Sequence, residues 1–295
     1  MVSGEGKLDN IQNSRYPHIK SLTARQYIEP AKLLPENSES PYYLLLTRTM
    51  NDLNNKVAII TGSSRGIGRA IATRLAKDGA TVVINYSHSA DRAEAAVKEI
   101  EQNGGKAIAL LADVSRIADL KRLFDQTIDK LGKVDILVNC AGVVIYKPIV
   151  KVSEDDFDKI IAVNVKGTYF ACQQAALRMA DGGRIINISS TTTALMLPTY
   201  SAYVASKGAV EQISRVLAKE VGDRQITVNV VSPGPTDTPL FRQGKTEAQI
   251  KHFGDMAALG RIAQVEDIAD TVAFLCGEDA RWITGQNIRV NGGLA

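Results

Sequence analysis

Little in this chain invites chemistry that depends on metals, disulfides or membranes. Its 295 residues include three cysteines, three histidines and one tryptophan. Cys140, Cys172 and Cys276 lie far apart in apolar surroundings, without the paired spacing of a redox or metal motif, and their odd number does not suit a disulfide framework. They read as small buried hydrophobes. No cluster of His, Cys, Asp and Glu has ligand spacing, so no metal is expected. No apolar run approaches the ~20 residues that cross a bilayer. An excess of one charge is missing too. The formal net charge is +3, which argues against nucleic acid and membrane surfaces as partners and leaves a small molecule.

Residues 1–50 lack the apolar core of a signal peptide, and Glu5, Asp9, Glu29, Glu36 and Glu39 count against an organellar transit peptide. Four of the nine prolines (Pro17, Pro30, Pro35 and Pro41) fall in this stretch, with little periodicity. Two readings stand: a flexible or loosely docked extension, or a natural start at Met50, directly before the regular pattern begins. With no address elsewhere, a cytoplasmic location is expected.

What the chain does have, over residues 51–295, is a strict alternation. Short β-branched runs at Lys56–Thr61, Thr81–Tyr86, Ala107–Ala112, Val134–Asn139, Arg184–Ser189, Thr227–Val231 and Asn287–Val290 are separated by amphipathic stretches, among them Gly66–Lys77 and Ala90–Gln102. Continuous apolar strands between helical segments predict a parallel sheet covered on both faces. Right-handed crossovers then give an α/β, Rossmann-type, doubly wound sheet of seven strands in a single domain, with its ligand crevice at the carboxyl ends of the strands.

Directly after the first strand stands Thr61-Gly62-Ser63-Ser64-Arg65-Gly66-Ile67-Gly68. Glycines allow a tight turn and a close approach to a pyrophosphate, which then rests on the positive end of the following helix. An ordinary strand–helix turn can carry glycines as well; the position between first strand and first helix favours a dinucleotide. The second strand ends Asn85-Tyr86-Ser87-His88, with no acid before Asp91, where an NAD-binding sheet usually offers a carboxylate to the ribose. Arg65 adds a guanidinium suited to a 2′-phosphate. Both features favour NADP(H), with Tyr86 and Ser87 beside the ribose; the bland reading of Arg65 is a solvated loop cation.

The fifth strand leads into Ser190, and thirteen residues later Tyr203-Val-Ala-Ser-Lys207 opens a helix. Tyr203 and Lys207, at i and i+4, share one helical face. A phenol is a poor acid at neutral pH, and a neighbouring cation is expected to favour its phenolate. The pair then serves as general acid or base, with Ser190 donating to the carbonyl oxygen. Tyr200 has Val204 where a lysine would be needed, and reads as a pocket-lining or packing residue.

Taken in order, these motifs resemble the short-chain dehydrogenase/reductase family from about Lys56 to Ala295. The resemblance adds Asp113-Val114 beside the adenine. It also adds Asn139, Ala141 and Gly142 of an Asn-Asn-Ala-Gly element in which Cys140 replaces the second Asn. Pro233, Gly234, Thr236 and Thr238 fall in the stretch that receives the nicotinamide carboxamide. Asn164 matches the fourth catalytic residue, thought to hold a water linking the lysine to solvent. A homotetramer is implied, with interfaces on the long helix near Ser153–Ala180 and on the helix after Tyr203.

The resemblance implies a reaction type, reduction of a small aldehyde or ketone, more firmly than a substrate. The segment Thr236–Leu259 reads as an amphipathic lid helix carrying Leu240, Phe241 and Phe253, with Lys245, Lys251 and His252 on a solvated outer face. Similarity to 3-oxoacyl-carrier-protein reductases is interrupted at Val143–Lys147, where a Thr-x-Asp element is usual, and sugar or alcohol dehydrogenases are as similar. A cofactor-sensing regulator or scaffold on the same fold is the reading of another class; such a protein is expected to lose the tyrosine or lysine, and both are present.

Overall fold

The computed structural model describes residues 52–295; the extension expected over residues 1–50 lies outside the described residues. Strands β1 (Val57–Thr61), β2 (Thr81–Tyr86), β3 (Lys106–Leu111), β4 (Ile136–Asn139), β5 (Arg184–Ile188), β6 (Thr227–Pro233) and β7 (Asn287–Val290) form one sheet in the order β3-β2-β1-β4-β5-β6-β7. Every pairing is parallel. This is the doubly wound sheet that the alternation predicts.

Its packing follows from the period of two along each strand. Ala58 and Ile60 of β1, with Val82, Ile84, Ile136 and Val138 of its neighbours, face α1 (Gly66–Lys77), α2 (Ala90–Gln102) and the last long helix, Val265–Cys276. The residues between them, Ile59, Val83 and Leu137, face α3 (Ile117–Leu131) and two later helices described below. A strand buried on both faces has no polar side to show, which is why the runs read as continuously apolar. β4 begins two residues later than the apolar run, and Asp135 just before it anchors the strand: its carboxylate accepts the Val57 amide at 2.8 Å and meets Lys133 at 3.1 Å.

Two helical expectations change. The helix expected near Ser153–Ala180 is α4 (Glu154–Ile160), then a π-helical turn over Ile161–Lys166, then α5 (Gly167–Arg178). The π turn carries Asn164, whose buried amide is tied to the neighbouring loop. After α6 (Thr192–Leu195) and α7 (Ser201–Glu220), the expected single lid helix is split into α8 (Pro239–Arg242) and α9 (Glu247–Asp255). Each half has its own cap: Thr238 Oγ1 accepts from Phe241 N and Thr246 Oγ1 from Gln249 N. Gly244, at φ +73°, turns the chain between them. The helix Val265–Cys276 is α10.

Phe124 is fully buried on α3, at the centre of the second core. Phe124→Ala is expected to destabilise the fold by about 3–5 kcal/mol, because transfer and cavity costs add. Urea unfolding measures this, and a loss below ~1 kcal/mol would show that the core collapses around the cavity.

Candidate active site

The strand order reverses between β1 and β4, and a cavity of about 770 Å³ opens at their carboxyl ends. The glycine turn forms one wall. Gly62 has φ +64°, and a Cβ there would stand 2.7 Å from Ala141 Cα; a Cβ on Gly68 would stand 2.6 Å from the Gly62 carbonyl oxygen. Neither position admits a side chain. Asn85 locks the turn to the sheet: its Oδ1 accepts from Gly62 N at 3.2 Å and its Nδ2 donates to the Ala112 carbonyl at 3.1 Å. Ser63 Oγ donates to the Ile60 carbonyl at 2.7 Å and accepts from Asn85 N at 3.0 Å.

The start of α1 has no side-chain cap and no acid in its first turn. Its free amides and positive dipole end suit an anion. Arg65 beside it is exposed, with no ion-pair partner among the described residues. At the far end Asp113 is held in an Asx turn, accepting from Ser115 N at 3.0 Å and Ser115 Oγ at 2.7 Å.

The opposite wall comes from β5 and α7. Ser190 Oγ accepts from Thr192 N at 3.2 Å and from Thr192 Oγ1 at 2.9 Å. Lys207 is buried, donates to the Ile188 carbonyl at 2.7 Å, and holds its ammonium 5.7 Å from the Tyr203 ring centroid. Asn164 joins the loop after β4 to α7. Its Oδ1 accepts from Val143 N at 2.9 Å, while its Nδ2 donates to the Val143 carbonyl at 2.9 Å and to Ser206 Oγ at 3.0 Å. Gly142 lies over this junction: a Cβ on it would be 3.5 Å from Asn164 Oδ1 and 3.6 Å from Lys207 Nζ.

Burial decides the protonation of the pair. It pushes the Tyr203 phenol up to about 12, with hydrogen bonding to Ser190 pulling the other way, and it pulls Lys207 down to about 8. The phenolate expected from a neighbouring cation is therefore not what the fold favours: desolvation is the largest influence on each group and disfavours both charged forms.

The cavity wall brings together nearly all the residues singled out in the sequence. Gly62, Ser64, Arg65, Gly66, Ile67, Gly68, Tyr86, Ser87, Asp113 and Val114 line one part. Ala141, Gly142, Ser190, Tyr203, Lys207, Pro233, Gly234, Thr236 and Thr238 line the other. Asn139 and Asn164 do not line it. Asn139 is buried in the sheet, donating to Asn187 Oδ1 at 2.8 Å, and Asn164 is fully buried behind the wall. Among the described residues, no group of His, Cys, Asp and Glu is placed to hold a metal.

Other lining residues were missed. Cys140 packs against the first core as expected but also lines the cavity near Lys207, and burial pushes its thiol up to about 11. Asn85 was legible as a polar residue closing a buried strand. Tyr146 had no local signal. It packs edge-on to Tyr200 with centroids 4.9 Å apart, and Tyr200 lines the cavity as expected. Phe241 and Phe253 pair at 5.6 Å on the lid. Lys245 is not the solvated cation expected; its ammonium lies 4.6 Å from the Tyr146 ring centroid and 4.9 Å from that of Phe241.

Comparison with known proteins agrees with this arrangement. A sequence model described as enoyl-(acyl carrier protein) reductase matches residues 62–295. An uncharacterized oxidoreductase of Methylorubrum extorquens is 45% identical over 247 residues, 83% of this chain and 100% of that protein. A hydroxynaphthalene reductase-like protein of Metarhizium brunneum is 36% identical, over 83% of this chain and 97% of its own length. The solved structure of the angucycline C-6 ketoreductase LanV with bound NADP superposes with a TM-score of 0.78 at 41% identity, covering 83% of this chain and 97% of that one. The chain belongs to the short-chain dehydrogenase/reductase family, and is therefore related to oxidoreductases throughout the region that builds the cavity.

Proposed function

We propose that this chain is an NADP(H)-dependent reductase of aldehydes or ketones, with Tyr203 as the proton donor. The observation that carries the reading is the placing of Tyr203, Lys207 and Ser190 in the same cavity as the glycine turn and Arg65. The residues fit a dinucleotide: Gly62 and Gly68, which leave no room for a side chain, an uncapped helix start for the pyrophosphate, and an arginine with no ion-pair partner among the described residues for a 2′-phosphate. NADP in the related ketoreductase supports the choice. When bound, NADPH supplies the hydride. Ser190, already accepting two hydrogen bonds, keeps its own proton to donate to the carbonyl oxygen. Tyr203, protonated through the neutral range, gives that oxygen its proton. Lys207, with a water at the one lone pair left on Asn164 Oδ1, resupplies it.

The outer cavity suits a carbonyl on a flat, apolar body. Tyr146, Tyr200, Phe241 and Phe253 line it together with Leu195 and Leu197, and aromatic walls favour ring substrates. The hydroxynaphthalene reductase-like relative is in keeping with this. The assembly we propose is a homotetramer, on the strength of the half-exposed Tyr169 and the more exposed Leu177 of α5 and Val216 of α7. Light scattering is expected to give four times the chain mass; a monomer mass would remove the proposal.

Three further outcomes are expected. Tyr203→Phe should lower turnover of tetralone by about 100-fold or more while NADPH binding persists, since a general acid contributes that much. In wild type, alcohol oxidation should rise with pH, because it needs the phenolate and burial raises the pKa of the phenol. Full turnover in the Phe variant would sink the mechanism, whereas a wild type that binds NADPH but turns over no carbonyl would favour a cofactor-sensing scaffold. Assays with cyclohexanone, glucose, a 3-oxoacyl thioester and an enoyl thioester distinguish the carbonyl reading from sugar oxidation, fatty-acyl reduction and double-bond reduction. Fluorescence titration of Arg65→Ala tests the cofactor: NADPH affinity should fall by about tenfold or more, as loss of a charge-assisted pair predicts, with NADH little changed. Equal preference for NADH in wild type would overturn it.

A further inference from the structure

One carboxylate near the site has no part in the chemistry just described. Glu211 lies on α7, four residues beyond Lys207 and eight beyond Tyr203, so the three share one helical stripe. It does not line the cavity, and it has no ion-pair partner among the described residues. Its Oε1 instead accepts from Ser189 Oγ at 2.8 Å and from Thr193 Oγ1 at 2.8 Å, the hydroxyls that bracket Ser190.

A hydroxyl has one proton to give. Ser189 Oγ has an alternative acceptor in the Lys207 carbonyl at 3.4 Å, and Thr193 Oγ1 in the Ser190 carbonyl at 3.0 Å. The carboxylate is nearer to both and is charged, and charge-assisted bonds are about twice as strong as neutral ones. It therefore fixes the orientation of both hydroxyls and ties both ends of the Ser189–Thr193 segment to the helix that carries Tyr203 and Lys207. Within that segment Thr192 N and Thr192 Oγ1 both donate to Ser190 Oγ, filling its two lone pairs. The Ser190 proton is then left to point into the cavity, on the side of the Tyr203 phenol to which it hydrogen-bonds.

We infer that Glu211 is a positioning residue that holds Ser190 as a hydrogen-bond donor facing the substrate oxygen, acting through the hydroxyls of Ser189 and Thr193. This rests on the proposed role of Ser190. A carboxylate suits the task because it only accepts; both hydroxyls must donate to it.

The test is steady-state reduction of tetralone with NADPH by the full chain. Ser190→Ala should lower kcat by about 100-fold, the usual cost of one oxyanion donor. Glu211→Ala should lower kcat by about tenfold, with KM for NADPH unchanged, because the hydroxyl remains but is misaligned. Glu211→Gln, which keeps an accepting oxygen, should restore most of the loss. Added to Ser190→Ala, the Glu211→Ala change should cost less than about twofold, since groups acting through one another are not additive. The same tenfold cost with or without Ser190, or wild-type turnover in Glu211→Ala, would overturn the inference. If Glu211→Ala does not fold, Ser189→Ala and Thr193→Val remove the donors instead. Each should lower kcat severalfold, and wild-type turnover in both would also overturn it. An unimpaired Ser190→Ala, or a wild type inactive on tetralone and all the other carbonyls, would remove the proposed function and this inference together. An impaired Ser190→Ala beside an unimpaired Glu211→Ala removes only the inference.

Discussion

The parallel pairing of β1 with β4 is the contact on which the rest of the cavity depends. Strand order reverses at this seam, so the chain leaves the two strands toward opposite faces and a crevice opens between the departures. Thr61 sits in register with Asn139, and its hydroxyl oxygen accepts the amides of Cys140 at 3.0 Å and Ala141 at 3.1 Å. The loop leaving β4 is thereby pressed onto the glycine turn, where Gly62 has no room for a methyl group. The cradle and the start of the catalytic wall are two sides of a single backbone contact, and a shift in the seam would move both.

Helical period does for the other wall what strand register does for this one. Tyr203, Lys207 and Glu211 follow one another at single-turn intervals on α7, with Ser214 one turn further along. Ser214 Oγ accepts from Asn187 Nδ2 at 2.8 Å, and Asn187 Oδ1 accepts from Asn139 Nδ2 at 2.8 Å. A row of buried amides thus runs from β4 through β5 to α7. Polar groups fully satisfied in a low-dielectric core rigidify it. Asn139, singled out as a cofactor contact, stands in the structure as a strut of this row.

Much of this was legible, for stated reasons. Strands buried on both faces cannot hide, and the glycine turn, Ser190 and the Tyr203–Lys207 pair carry their own spacing, so the sheet and these parts of the cavity wall could be placed from residue order, while Asp113, Ala141, Gly142 and the Pro233–Thr238 stretch came only with the family resemblance. What escaped depends on distance across the fold. Tyr146 follows an unremarkable loop, and meets Tyr200 and Lys245 only because β4, α7 and the lid converge at the cavity mouth. The lid's division was readable in part: Gly244 followed by Thr246 is a stop and a start, but hydrophobic period alone ran across it. The π-helical turn at Ile161–Lys166 leaves no mark in periodicity, since one extra residue in a turn is absorbed within the tolerance of an amphipathic pattern.

Ionisation shows the same division between local pattern and three-dimensional setting. A lysine one turn from a tyrosine argues, on the helix alone, for a phenolate. In the fold both groups are buried, and each is driven toward its neutral form, Tyr203 to about 12 and Lys207 to about 8. The phenol proton is then firmly held until a partner needs it, which suits donation to an oxygen gaining charge during reduction. Running the reaction the other way needs that proton removed first, and a positive charge entering the cavity is what would lower its cost. On the proposed role of Tyr203, burial thus keeps the resting phenol in the protonated state that donation to a carbonyl oxygen requires.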